Sequence, residues 1–228
     1  MNSVLVIAAH PDDEILGCGA TIALHALAGD TVHVVIMAEG VTSRDDSRDP
    51  RARSNELKTL ATAAHEANQI VGTKTLTFHG LPDNRLDSID LLDMVKVIEG
   101  HIETIRPNIV YTHHAGDLNI DHQRIHAAVA TACRPLPDQS ITTLLFFEIP
   151  SSTEWQPVGS GPVFQPNWFV DVSSLMEKKL DALRAYGTEL RSWPHPRSLQ
   201  AVETLAGWRG ASVGVSAAEA FMLGRRIS

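Results

Sequence analysis

The sequence predicts an α/β protein built on a doubly wound, mostly parallel, Rossmann-like sheet with helices on both faces. Three observations carry this expectation. Val4 to Ala9 is an unbroken apolar run that stops abruptly at His10-Pro11-Asp12-Asp13-Glu14. A short, branched apolar run bounded by polar residues reads as a parallel strand buried on both faces. Thr31 to Ala38 is a second run of that kind. Strand-like and helix-like segments then alternate as far as Ile149, the pattern of parallel strands joined by helical crossovers.

Taken in order, Asp12, Asp13 and Glu14 fall where a helix begins, just after Pro11. Ile15, Leu16, Gly19, Ile22, Ala23, Ala26 and Leu27 follow at helical spacing, and Gly29-Asp30 ends the helix. After the Thr31–Ala38 strand, Glu39 to Asp49 is polar and reads as a loop over the strand ends. Asp49-Pro50 reads as an N-cap with proline at the first helical position, opening a helix from about Pro50 to Ile70 that ends at Gly72. Leu76 to Phe78 is a short third strand, and Gly80 to Asp87 is a loop. A helix from about Ser88 to Ile105 stops before Arg106-Pro107. Asn108 to Thr112 is a fourth strand, His113 to Asp121 a polar loop, His122 to Cys133 a helix, and Leu144 to Ile149 a fifth strand.

Pro150 to Asn167 changes character. Pro, Gly and Ser dominate around Trp155, which suggests a loop or lid. A short strand at Trp168–Val172 and an amphipathic helix at Ser173–Gly187 follow. Ser192 to Ser198 is irregular because of Pro194 and Pro196. A helix near Leu199–Arg209 and a terminal stretch, Glu219 to Ile227, close the sequence. The expectation is one domain over residues 1–228, with 150–228 an extension that packs on the α/β core and contributes to the rim of the site. No internal repeat or low-complexity tract is present.

Composition narrows the function classes. The chain has 228 residues, 43% of them hydrophobic, enough for a full core. The formal net charge is −8 with no basic run, which argues against a nucleic-acid partner. No apolar stretch approaches the roughly 20 residues needed to span a bilayer, so no membrane partner is expected. Cys18 and Cys133 suggest no disulfide framework and read as free, buried cysteines. The expected location is cytoplasmic.

The glycines after the first strand also invite a dinucleotide-site reading. Gly17 and Gly19 give G-x-G, and Glu39 stands about 20 residues on, where a ribose-binding acid belongs. Ile22 occupies the place of the third glycine, however, and three carboxylates precede the glycines where a pyrophosphate would sit. Acids stacked there repel a second anion.

A metal site fits the residue types better. His10 and Asp13 are an imidazole and a carboxylate three apart at a strand-to-helix turn, the kind of ligands that catalytic zinc takes. Asp121-His122 is the best source of a third ligand. It follows the fourth strand, which flanks the first at the switch point of the common doubly wound order. The structural alternatives are plain: first-turn acids complement a helix dipole, and Asp121 could be an ordinary N-cap. His10 does not fit them, because it ends a buried strand and caps nothing. His25, His65 and His101 sit in helices and read as surface or packing residues, and His33 reads as a satisfied core group.

At these residues the chain resembles the PIG-L/LmbE-like family of zinc-dependent N-acetyl-sugar deacetylases. The motifs are Ala9-His10-Pro11-Asp12-Asp13-Glu14, Asn119-Ile120-Asp121-His122, Arg53-Ser54-Asn55-Glu56 and the terminal pattern Arg209-Gly210 … Ala218-Glu219-Ala220-Phe221. The resemblance implies Zn2+, or another divalent transition metal, on His10, Asp13 and His122, with Asp12 as general base acting on a metal-activated water. Asn119 stands where the family often has an oxyanion-stabilising histidine. An amide can donate a hydrogen bond there but supplies no charge or proton. His114, a few residues upstream, is the favoured replacement, with His113 beside it.

Asp121 is expected to orient a neighbouring imidazole or amide. Arg53 is read as a donor to substrate, or else as a surface residue paired with Glu56. Glu14 and His195 are further candidates for substrate binding, and Trp155 and Trp193 could stack on a sugar or merely pack a loop. The implied substrate is a small N-acetylated amino sugar or its conjugate, and family likeness is compatible with a homo-oligomer. A zinc amidohydrolase acting on a non-sugar amide and a non-catalytic metal- or sugar-binding module are the alternatives.

Overall fold

The computed structural model describes residues 1–228. Seven strands form one sheet: β1 (Ser3–Ala8), β2 (Thr31–Ala38), β3 (Thr75–Leu81), β4 (Ile109–His113), β5 (Thr143–Phe147), β6 (Trp168–Asp171) and β7 (Ala218–Arg226). Six helices pack around it: α1 (Asp13–Leu27), α2 (Ser54–Val71), α3 (Leu91–Ile105), α4 (Ile120–Ala132), α5 (Met176–Ala185) and α6 (Leu199–Ala211). The strand order is β3-β2-β1-β4-β5-β7-β6. β1 pairs in parallel with both β2 and β4, so the order reverses between β1 and β4. That switch point brings the loops after β1 and β4 to the same crevice.

The pleat explains why β1 reads as continuously apolar. Val4 and Val6 face one core with α1, α2, α5 and α6, whereas Leu5, Ile7 and Ala9 face the other with α3 and α4. A strand covered on both faces needs apolar residues at every position.

The terminal stretch is a full strand. β7 is the only antiparallel member, inserted between β5 and β6 and bonded to both. Val172, Leu180, Leu183, Tyr186 and Phe221 share one apolar cluster with β1 and α1.

Two helix starts differ from the sequence expectation. α2 begins at Ser54, not Pro50, because the Asp49 carboxylate accepts from the Arg51 and Ala52 N–H groups and holds a separate turn. α3 begins at Leu91 because Leu86–Ser88 forms its own short 3-10 turn.

Gly17 and Gly19 serve packing. Helix α1 breaks at Cys18, whose φ of −150° and ψ of 24° are not helical. A Cβ at Gly17 would lie 2.5 to 3.0 Å from ring atoms of Phe147, and one at Gly19 would lie 2.9 Å from Ile15 Cγ2. No helix is long and apolar enough to cross a membrane.

Candidate metal centre

β1 and β4 deliver their last residues to one point. The Ala9 N–H donates to His113 Nε2 at 2.8 Å, tying the two strand ends together. The next residues, His10 to Asp13, turn into α1. Asp12 adopts φ 115°, a left-handed conformation that a non-glycine residue holds only under constraint from its surroundings.

His10, Asp13 and His122 converge on one point. One ligand atom from each lies within 4.8 Å of the others, and all three residues are buried. His10 Nδ1 is 3.2 Å and His122 Nε2 3.1 Å from the same oxygen, Asp13 Oδ2. Asp13 Oδ1 and His122 Nε2 are buried without a hydrogen-bond partner. Burial alone would push the Asp13 carboxyl up. His122 and His10 outweigh it and hold that carboxyl well below its ordinary value. Against the downward pull of burial, Asp121 and Asp13 raise His10 well above its ordinary value, and Asp13 and Asp117 raise His122 to about 9. Two buried imidazoles are thus drawn toward positive charge around one carboxylate, and two buried ligand atoms go unsatisfied. A divalent cation fits that donor set and would replace the protons.

Each of the two histidines is backed by a carboxylate. His10 Nε2 donates to Asp121 Oδ2 at 2.9 Å, with Asp83 Oδ1 3.3 Å away. His122 Nδ1 faces Asp117 Oδ1 at 3.1 Å, and Asp117 in turn accepts from Ser152 Oγ and Thr153 Oγ1. Asp121 is fully engaged: Oδ2 also accepts from Asn84 N (2.7 Å) and Oδ1 from Leu86 N (2.9 Å), which anchors the Leu86–Ser88 turn. His10, Asp83 and Asp121 also cluster closely enough to hold an ion. Asp121 Oδ2, the oxygen that faces His10, already accepts two hydrogen bonds there. Asp121 thus fixes one edge of the His10 ring while the other edge faces Asp13.

Asp12 is buried beside the ligands, and its Oδ2 accepts from Arg197 Nη1 at 3.0 Å. Burial pushes its carboxyl up to about 7, against the downward pull of Arg197. Arg197 also donates to Ser151 Oγ at 2.8 Å, bridging Asp12 to the start of the Pro150–Asn167 segment.

The other candidate residues have partners of their own. His114 Nε2 donates to Pro162 O at 3.0 Å and its ring packs on Phe164, so it fastens the Pro150–Asn167 segment instead of presenting that nitrogen to an oxyanion. Glu14 points into the core, where Tyr186 Oη (2.6 Å) and Asn68 Nδ2 (2.8 Å) donate to it, and it is closed to substrate. Arg53 is taken by Asp45 and Glu56, its surface reading. His195 accepts from Arg197 N and packs edge-on against Trp155, shaping the loop that delivers Arg197. His33 is half-buried and bonded to Thr75, not in the core.

Asn119 caps α4, accepting from Asp121 N, while its Nδ2 donates to Asn84 Oδ1 at 2.8 Å. His113 stacks on His122 with ring centroids 4.0 Å apart. Burial, with His122 next, holds it well below its ordinary value, so its Nε2 stays free to accept from Ala9.

Sequence reasoning missed Asp83, Asp117 and Arg197. Asp117 stood in a loop already marked polar. Arg197 sat in the proline-broken segment from which only Trp193 and His195 were singled out.

Residues 5–133 match the family model described as PIG-L, GlcNAc-PI de-N-acetylase. The chain belongs to the PIG-L family. Among curated relatives it is 33% identical over 158 residues to an "uncharacterized deacetylase YaiS" of Escherichia coli, covering 66% of this chain and 76% of that one. It is 26% identical to a probable N-acetyl-alpha-D-glucosaminyl L-malate deacetylase 2 of Bacillus anthracis, covering 82% and 80%. Two solved structures share the fold. N,N'-diacetylchitobiose deacetylase of Pyrococcus horikoshii aligns with TM-score 0.76 at 21% identity, covering 97% of this chain and 83% of that one. The 4-carboxy-2-hydroxymuconate hydratase GalB of Pseudomonas putida aligns with TM-score 0.74 at 22% identity, covering 100% and 98%. One fold is thus shared by a protein named a deacetylase and one named a hydratase, and function has to be argued from the site.

Proposed function

We propose that this PIG-L protein is a zinc-dependent hydrolase that removes the acetyl group from an N-acetylated amino sugar or its conjugate. The observation that carries the reading is the convergence of His10, Asp13 and His122 with Asp12 buried beside them. The deacetylase names of the relatives at 33% and 26% identity support the amide as the bond attacked. Bound to that triad, zinc would supply a Lewis acid for the acetyl carbonyl and make water acidic enough to attack near neutral pH.

The chain's own residues supply the remainder. Asp12, with a carboxyl near 7, takes the proton of the attacking water and returns it to the leaving amine, so one group serves as base and then acid. Arg197 fixes one Asp12 oxygen and leaves the other for that proton. Asp121 and Asp117 hold the two imidazoles in orientation. The Asn119 Nδ2 group has a second N–H beyond its bond to Asn84, a donor for the developing oxyanion.

Acetate release tests the reading directly, using N-acetylglucosamine and a panel of its conjugates with metal-stripped and zinc-reloaded protein. Zinc restores turnover, and Asp12→Asn keeps the metal while losing about 100- to 10,000-fold in kcat. A zinc-loaded protein that released acetate only from non-sugar amides would redirect the substrate class. One that bound sugars without turnover would be a binding module.

A further inference from the structure

The break in α1 lies one turn beyond the metal ligands, and a buried ion pair closes it. Glu219 on β7 accepts from the N–H groups of Ala20 (3.1 Å) and Thr21 (2.7 Å). Lys179 on α5 donates to Leu16 O at 2.8 Å and to Glu219 Oε1 at 2.5 Å. Both side chains are almost wholly buried, at 4% and 3% exposed. Each charge stands at the end that suits it. The carboxylate caps the fresh N-terminus after Cys18, and the ammonium caps the carbonyl end of the turn before it. A buried pair stays in place only when further hydrogen bonds satisfy it, and here the severed helix supplies them.

The first piece, Asp13 to Gly17, is a single turn, far too short to hold helical geometry alone. Its direction is therefore set from outside. Behind it Tyr186 and Asn68 grip Glu14, and ahead of it Asp12 is held at its left-handed φ. At its far end a further anchor, on Leu16 O, is Lys179. A continuous helix would aim this turn wherever the body of α1 pointed.

We propose that Lys179 and Glu219 are positioning residues for the metal centre, uncoupling the turn that carries Asp12 and Asp13 from the rest of α1. This rests in part on the hydrolase reading, through the assay of turnover.

The test is the double variant Lys179→Met/Glu219→Gln, which removes both charges and leaves neither buried alone. Zinc affinity, measured by competition with a chromophoric chelator, falls about tenfold in the folded protein, and kcat falls by a similar factor with KM within twofold. Exchange of the Ile15 and Leu16 amides, with no metal or substrate present, quickens by about tenfold while amides of β1 keep their protection. A purely structural pair would lower the melting temperature and leave zinc affinity and kcat per folded molecule within twofold of wild type, and that result overturns the proposal. Should the double variant fail to fold, Glu219→Asp decides: it keeps the charge and retracts it by one methylene. Unchanged zinc affinity and amide exchange in E219D would likewise overturn it. Wild-type protein that binds zinc but releases no acetate would sink the deacetylase reading and leave this one standing on zinc affinity and exchange.

Discussion

Replacing Asp121 with asparagine offers a sharp test of how the centre is assembled. Asp121 accepts three hydrogen bonds, from His10 Nε2 and Asn84 N on Oδ2 and from Leu86 N on Oδ1. Asparagine must put an NH2 group in one of those two places. In the Oδ2 position it faces two donors, and relief requires His10 to shift its proton to Nδ1, the atom that faces Asp13. In the Oδ1 position it faces the Leu86 N–H and frees the short turn. Either way a buried donor loses its acceptor, at a cost of about 1–3 kcal/mol. With about 1.4 kcal/mol per tenfold, that is roughly 5- to 150-fold in zinc affinity if the whole cost falls on the bound state. The range overlaps the 10- to 100-fold typical of carboxylates behind metal-bound histidines. Chelator competition at fixed pH reads it, with circular dichroism to confirm that the fold persists. A folded D121N protein binding zinc within twofold of wild type would show that Asp121 does not hold His10 for a metal.

Three further outcomes follow from the same geometry. Zinc binding near pH 7 releases at least one proton, because the raised His10 and His122 must give up protons to become ligands; calorimetry in buffers of different ionisation enthalpy counts it, and zinc affinity accordingly rises with pH up to about 9. Gly17→Ala drives a methyl into the Phe147 ring and destabilises the protein by about 1–3 kcal/mol, or roughly 2–4 °C of melting temperature per kcal/mol; an unchanged melting temperature would mean that the ring moves away freely. Cys18 and Cys133 stay unreactive toward a thiol reagent in native protein near pH 8 and react after denaturation, since burial pushes Cys133 up to about 12 and Cys18 well above its ordinary value; rapid native labelling of either would contradict their burial.

The parts of this protein that could be read from sequence are those where chemistry is dense and local. β1 announces itself because both of its faces are buried, and His10 and Asp13 stand where that strand must end. The switch-point rule pointed to Asp121-His122, and the family resemblance chose His122 from that pair. β7 was illegible as a strand: Ala218-Glu219-Ala220 has no branched residues, and its place comes from pairing on both sides with β5 and β6. The start of α2 was misplaced because Asp49-Pro50 has every mark of a cap, and only the contacts show its carboxylate closing a separate turn. Arg197 carries no local signal, since its meaning depends on a loop folding back across Asp12. Arg53 matched a motif, yet the neighbouring acids occupy it.

The insertion of β7 has a consequence for the order of assembly. β6 bonds to no strand except β7, which is made some fifty residues later. Until that late segment arrives, β5 is an open border with unsatisfied N–H and C=O groups, a template for pairing with foreign chains. A growing polypeptide therefore carries its greatest hazard of clumping just before synthesis reaches Ala218, and rescue by a chaperone would matter most in that interval.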